Sequence, residues 1–184
     1  MKRLIAILLA TMFSVSLFGC SAENQEPPEF MNQDGIPLCE MTEQQAVDWM
    51  QEYVEWFKVG EEKISIEVKE FEDKAPLYYV KIGDNPTKTA MSISTSDDGK
   101  IENISVISTN VDLDGNAFIM GCAVAITLTD HYQEFDLASS VDYFGELIDA
   151  ASYNGSADQT RGEIEYEVKF ISELAELNIS MNGQ

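Results

Sequence analysis

The sequence predicts an α+β domain: one antiparallel sheet of about six strands, with three helices mostly on one face. Three observations carry that expectation. A capped amphipathic helix begins near residue 42, four alternating segments joined by short turns follow it, and two more alternating segments close the chain after a pair of helices.

Thr42-Glu43-Gln44-Gln45 has the spacing of a capping box, with Thr42 as N-cap and Gln45 reaching back. The helix should run to about Lys58 and stop at Gly60. Ala46, Val47, Trp49, Met50, Tyr53, Val54, Trp56 and Phe57 fall on one half of its wheel, and Asp48, Gln51, Glu52, Glu55 and Lys58 on the other. Trp49, Tyr53 and Trp56 are the candidate ligand-facing aromatics, although aromatics at helical spacing more often pack at the edge of a core.

Ile64, Ile66 and Val68 alternate with Ser65, Glu67 and Lys69, and Tyr78, Val80 and Ile82 alternate with Tyr79 and Lys81. Asp84-Asn85-Pro86 turns the chain into Met91, Ile93 and Thr95. Asp97-Asp98-Gly99-Lys100 is a hairpin signal leading into a strand over 101–109. Four strands in succession imply an antiparallel meander. Residues 116–128 are the most apolar stretch of the domain and too short to span a bilayer, so they read as a buried helix. A further helix should start at Asp136 and end at Asn154-Gly155, with strands over 163–170 and 175–181.

A degenerate internal repeat runs through these elements. Val47 to Glu55 aligns with Val141 to Asp149, with identity at Val47/Val141, Asp48/Asp142 and Glu52/Glu146. Downstream, Ile64-Ser65-Ile66-Glu67-Val68-Lys69 aligns with Ile164-Glu165-Tyr166-Glu167-Val168-Lys169. A duplication would make two helix-plus-hairpin halves related by a near two-fold axis in one sheet, with the strands of residues 88–109 between them.

The domain is preceded by a different kind of sequence. Lys2 and Arg3 precede an apolar run from Leu4 to Phe18, and Gly19 then stands directly before Cys20. This is the layout of an export signal with its cleavage point. Leu17-Phe18-Gly19-Cys20 resembles the lipobox of bacterial lipoproteins. The resemblance implies that 1–19 is a signal peptide and that Cys20 becomes the first mature residue, carrying a thioether-linked diacylglycerol. It also implies a chain anchored in the cell membrane and facing outside the cytoplasm. Residues 20–38, with Glu26-Pro27-Pro28-Glu29, Asp34-Gly35 and Pro37, read as a flexible tether able to reach at most about 60 Å. Residues 39–184 form a single domain of ordinary size.

Charge narrows the partners. There are 33 Asp plus Glu against 11 Lys plus Arg, a net charge of −22. Nucleic-acid binding depends on lysines and arginines neutralising phosphates, so this composition excludes it as an expected partner. The bilayer should be met only through the acylated Cys20. Cys39 and Cys122 remain as a pair in an exported chain, compatible with a disulfide, while Cys122 is equally natural as a buried thiol.

Signatures of chemistry are sparse. Asn110-Val111-Asp112-Leu113-Asp114-Gly115-Asn116 resembles the first half of an EF-hand or dockerin-type calcium loop, but Gly121 stands where the bidentate acid is needed, so no metal site is expected. His131 is the sole histidine, with no Gly-x-Ser-x-Gly elbow and no His-Glu-x-x-His motif. No cofactor is expected either. The expected function is therefore noncatalytic: a binding or scaffolding module of the cell envelope with a protein partner. It would use the sheet face carrying Ser65, Glu67, Lys69, Tyr79 and Lys81. A small-ligand or cation-binding lipoprotein with a pocket between helices and sheet is the alternative.

Overall fold

The computed structural model describes residues 38–54, 58–59, 62–130 and 137–181. The strands are β1 (Lys58–Val59), β2 (Glu62–Lys69), β3 (Leu77–Ile82), β4 (Thr89–Thr95), β5 (Ile101–Ser108), β6 (Ser156–Arg161), β7 (Ile164–Ile171) and β8 (Leu174–Met181). The helices are α1 (Glu43–Val54), α2 (Val111–Asp130) and α3 (Leu137–Asn154), preceded by a 3₁₀ turn at Leu38–Glu40. The strand order is β1-β2-β3-β4-β5-β8-β7-β6, antiparallel throughout. The α+β class and the antiparallel sheet are as expected. Seven strands make the sheet, and the two residues of β1 extend one edge.

Local chemistry explains the element ends. The capping box forms as its spacing predicts: Thr42 N–H donates to Gln45 Oε1 at 2.9 Å, and Gln45 N–H to Thr42 Oγ1 at 3.3 Å. The β4–β5 hairpin closes through Ser96 N–H to Lys100 O at 2.8 Å, with Gly99 at φ 79°. The helix α1 is described as far as Val54, and Lys58, its expected last residue, instead pairs with Lys63 in β1. The helix α2 starts at Val111, ahead of the expected 116. Asn110 caps it, its Oδ1 accepting the Leu113 N–H at 3.2 Å, and Val111 N–H reaches Glu173 O at 2.8 Å.

Strand β6 was not expected from the sequence. Ser-Ala-Asp-Gln-Thr-Arg has no apolar alternation, and only Ala157 packs against the core. The strand exists because its backbone pairs with β7 from Ser156↔Lys169 to Arg161↔Ile164. An edge strand of this kind leaves no period-two signal.

The three helices form one layer. The central α2 packs over β3, β4, β5 and β8 and touches both other helices, while α1 lies over β2 and α3 over β6 and β7. On the strand positions facing this layer, Val80, Met91, Ile104, Val106, Val168 and Leu177 are fully buried. No helix among the described residues is long and apolar enough to cross a membrane.

The strand registers have the two-fold that the repeat predicts. Carrying Ile64 onto Ile164 carries the β2–β3 pair Ile66↔Val80 onto the β7–β8 pair Tyr166↔Ile179, and Val68↔Tyr78 onto Val168↔Leu177. Tyr78 pairs onward with Met91 and Leu177 with Val106, and Met91 and Val106 are themselves partners across β4–β5. A two-fold axis normal to the sheet at the Met91·Val106 pair therefore relates the halves, with β4 and β5 between the hairpins as expected. Burial in the helices agrees: Met50 and Val54 are buried, as are their counterparts Phe144 and Ile148.

Beside that axis α2 presents Gly121. A Cβ there would lie 2.9 Å from Val106 Cγ1 and 3.2 Å from Val80 Cγ2. Gly145, in α3, has open space around the same vector. Alanine raises helix propensity at both sites, so sterics should decide the sign. Gly145→Ala is expected to stabilise by about 0.5–1 kcal/mol. Gly121→Ala is expected to destabilise by about 1–2 kcal/mol, because two β-branched side chains must move in a close-packed core. Urea unfolding of the two variants checks the opposite signs.

Candidate functional site: the uncovered face of the sheet

Because side chains alternate along each strand, the face opposite the helices carries the other half of every strand. No helix covers it among the described residues. Its middle is made of small neutral groups: Ser92 and Ser94 on β4, Asn103 and Ser105 on β5, and Asn178 and Ser180 on β8, joined in register as Ser92↔Ser105↔Asn178 and Ser94↔Asn103↔Ser180. Ser105 Oγ is hydrogen-bonded to the side-chain amides of both Asn103 and Asn178. This network restrains the side chains of Asn103, Ser105 and Asn178 at the middle of the face.

The flanks differ in charge. On one side lie Ser65, Glu67 and Lys69 of β2 with Tyr79 and Lys81 of β3, the residues the sequence placed on this face. Glu67 and Lys81 pair at 3.1 Å, and the Lys69 ammonium lies 5.4 Å from the Phe71 ring centroid. On the other side Glu165, Glu167 and Lys169 of β7 meet Glu176 of β8 and Asp158 of β6. The 2.6 Å hydrogen bond from Lys169 to Glu167 raises the lysine pKa, with the nearby charge of Glu176 adding to it. With Lys169 so engaged, Asp158, Glu165 and Glu176 leave this flank negative. The arrangement suits contact with a broad partner surface whose cationic groups meet β6–β8. Among the described residues no three His, Cys, Asp or Glu side chains of this face gather as a metal-ligand set.

The other candidate residues are dispersed. Cys20 and Trp56 lie outside the described residues, as does His131. Trp49 is half-buried against the core, as an edge-of-core aromatic, and Tyr53 lies in α1 with its side chain outside the described set. Cys39 and Cys122 are not joined: both thiols are free. Cys122 is fully buried in α2, where burial pushes its thiol pKa up, while Cys39 sits half-exposed on the 3₁₀ turn. The calcium-like segment is absorbed into α2, which is kinked at Asp114 (φ −109°, ψ 20°). Asp114 accepts a hydrogen bond from the Lys88 backbone N–H. Among the described residues no three His, Cys, Asp or Glu side chains gather as a metal site.

No protein-family model, curated protein or solved structure matches the chain.

Polar contacts tie the helix layer to the sheet, among them the buried Thr129 hydroxyl of α2, 2.7 Å from the Tyr166 hydroxyl of β7. Tyr78 of β3 donates its hydroxyl to Glu43 Oε1 of α1 at 2.6 Å. Burial, reinforced by that hydrogen bond and the carboxylate charge, moves the Tyr78 pKa well above its ordinary value. Above about pH 10 the unfolded tyrosine ionises while the folded one keeps its proton, so stability falls as pH rises through that range. Tyr78→Phe is expected to cost about 1–2 kcal/mol near pH 7. The difference from wild type should shrink near pH 10.5, which urea midpoints at the two pH values measure.

Proposed function

We propose that the protein is a lipid-anchored lipoprotein facing outside the cytoplasm, where it acts as a noncatalytic binding or scaffolding module of the cell envelope. The observation that carries this reading is the uncovered sheet face: a polar surface across seven strands, opposite the layer formed by the three described helices. Such a surface is suited to another protein rather than to enclosing a small molecule, since ligand sites are concave and mostly apolar. Its negative β6–β8 flank favours a partner with a basic patch.

The address rests on Leu17-Phe18-Gly19-Cys20, which resembles a lipobox, and the net charge of −22 leaves acyl chains as the means of holding the bilayer. Cys20→Ser is expected to move the full chain from the membrane fraction to the soluble fraction. Retention in membranes at the wild-type level would count against the anchor.

The contact face is tested by capture from envelope extract with the full chain as bait. Ser92→Arg and Asn178→Arg put long cations at the centre of the face, where neither side chain enters the core. Both are expected to lose the captured partner while Leu113→Arg, on an exposed position of α2, keeps it. Equal capture by all three would assign binding to another surface.

A further inference from the structure

The two halves of the sheet differ at their outer edges. In the second half β6 runs along β7 and covers it from Ile164 to Lys169. In the first half β1 covers only Glu62 and Lys63 of β2, and no other described residue pairs with the rest of that edge. The consequence is visible in one pair of counterparts: Val168 is fully buried, whereas Val68 is 41% exposed. Among the described residues, a strand position filled on one side of the two-fold is open on the other.

We propose that this position is filled by a second copy of the chain, the two β2 strands pairing antiparallel about Val68 so that the sheet continues through a two-fold dimer. The charge pattern of β2 selects the occupant and the register. With Val68 opposite Val68 of the second copy, Glu67 faces its Lys69 and Lys69 faces its Glu67, so both cross-strand pairs are of opposite charge. Centring on Ile66 would set Lys63 against Lys69, and centring on Glu67 would set two carboxylates face to face. Centring on Ser65 would need Lys63, which β1 already holds. The Val68 register uses residues 65–71 alone and gives Lys69, which has no ion pair among the described residues, a carboxylate. It also removes Val68 from water at an edge that would otherwise be open to pairing. An isologous contact of this kind closes on itself and stops at two copies.

The opposite edge does not compete. No large apolar side chain is exposed on β6. Asp158 and Arg161 are an odd number of residues apart and so lie on opposite faces, which leaves no self-complementary charge register. A seven-residue edge pair buries less than the roughly 1,200 Å² of a stable interface, so the dimer is of the transient class. Salt near 0.15 M, with a screening length of about 8 Å, limits repulsion between two acidic chains while contacting pairs persist.

The test uses the full chain in mild detergent at that ionic strength, in a Cys39→Ser background, with a short bismaleimide as probe. Val68→Cys is expected to give a covalent dimer on a denaturing gel, and Gln159→Cys on β6 to remain a monomer. Adding Lys69→Glu to Val68→Cys, which leaves the Glu67–Lys81 pair intact, should reduce the dimer yield about five-fold. Adding Glu67→Lys together with Lys69→Glu restores both opposite-charge pairs and should restore the yield. A folded Val68→Cys that gives no dimer, equal yield at Gln159→Cys, or a double exchange no better than Lys69→Glu would each overturn the proposal.

Discussion

The distance between α2 and the centre of the sheet is the constraint on which the rest of the architecture depends. It is set by the missing side chain at Gly121, which lets the helix backbone settle onto Val80 and Val106. Because α2 packs between the other two described helices, its height above the sheet sets where α1 and α3 can lie. The whole helix layer then buries one continuous core, from Met50 of α1 through Phe118 and Cys122 of α2 to Phe144 and Ile148 of α3. Interiors packed to crystalline density have no slack for a helix to ride higher. A glycine in the middle of a helix normally weakens it, and here that local loss is offset by contact along the length of the central strands.

Gly121 also lies beside the axis that relates the halves, where Met91 pairs with Val106. A helix crossing a two-fold cannot be symmetric about it, so α2 is where the two halves must differ. On either side of it the hairpins repeat their registers faithfully, while the edges diverge: β6 is six residues long and β1 two. Symmetry is kept where burial constrains side-chain alternation and lost where the strand faces water. That division follows from register physics, since a one-residue slip in a half-buried strand would turn its apolar set outward, and an exposed edge carries no such penalty.

The same division explains what could be read from the sequence. Elements with one buried face announced themselves: β2, β3, β4, β5, β7 and β8 alternate, and Thr42 with Gln45 marks the start of α1 through a bond that forms in the structure. Strand β6 could not be read, because Ser156–Arg161 owes its conformation to hydrogen bonds with β7 rather than to its own side chains. The segment Asn110–Asn116 resembles a calcium loop in residue type and not in conformation. Asn110 and Asp114 supply oxygens at loop-like spacing but use them on backbone N–H groups, of Leu113 and Lys88. The polar face was visible in outline from Ser65, Glu67, Lys69, Tyr79 and Lys81. Its central Ser/Asn strip was not, because Ser92, Ser105 and Asn178 come together only once β5 has paired with β8, across a long separation in sequence.

The chain has put its polar residues to two different uses. At the centre of the open face small side chains bond one another, as Ser105 does with Asn103 and Asn178, and so restrain one another's rotamers. Ordering such groups on contact with a partner costs little entropy, because the sheet has already ordered them. At the flanks, long charged side chains remain: lysines toward β2 and β3, carboxylates toward β6, β7 and β8. Charges at a rim steer approach and orientation more than they add affinity. On the proposed reading, a neutral centre between flanks of unlike charge would orient a partner before binding it. The acidic excess of the whole chain strengthens that bias toward cationic surfaces and turns anionic ones away.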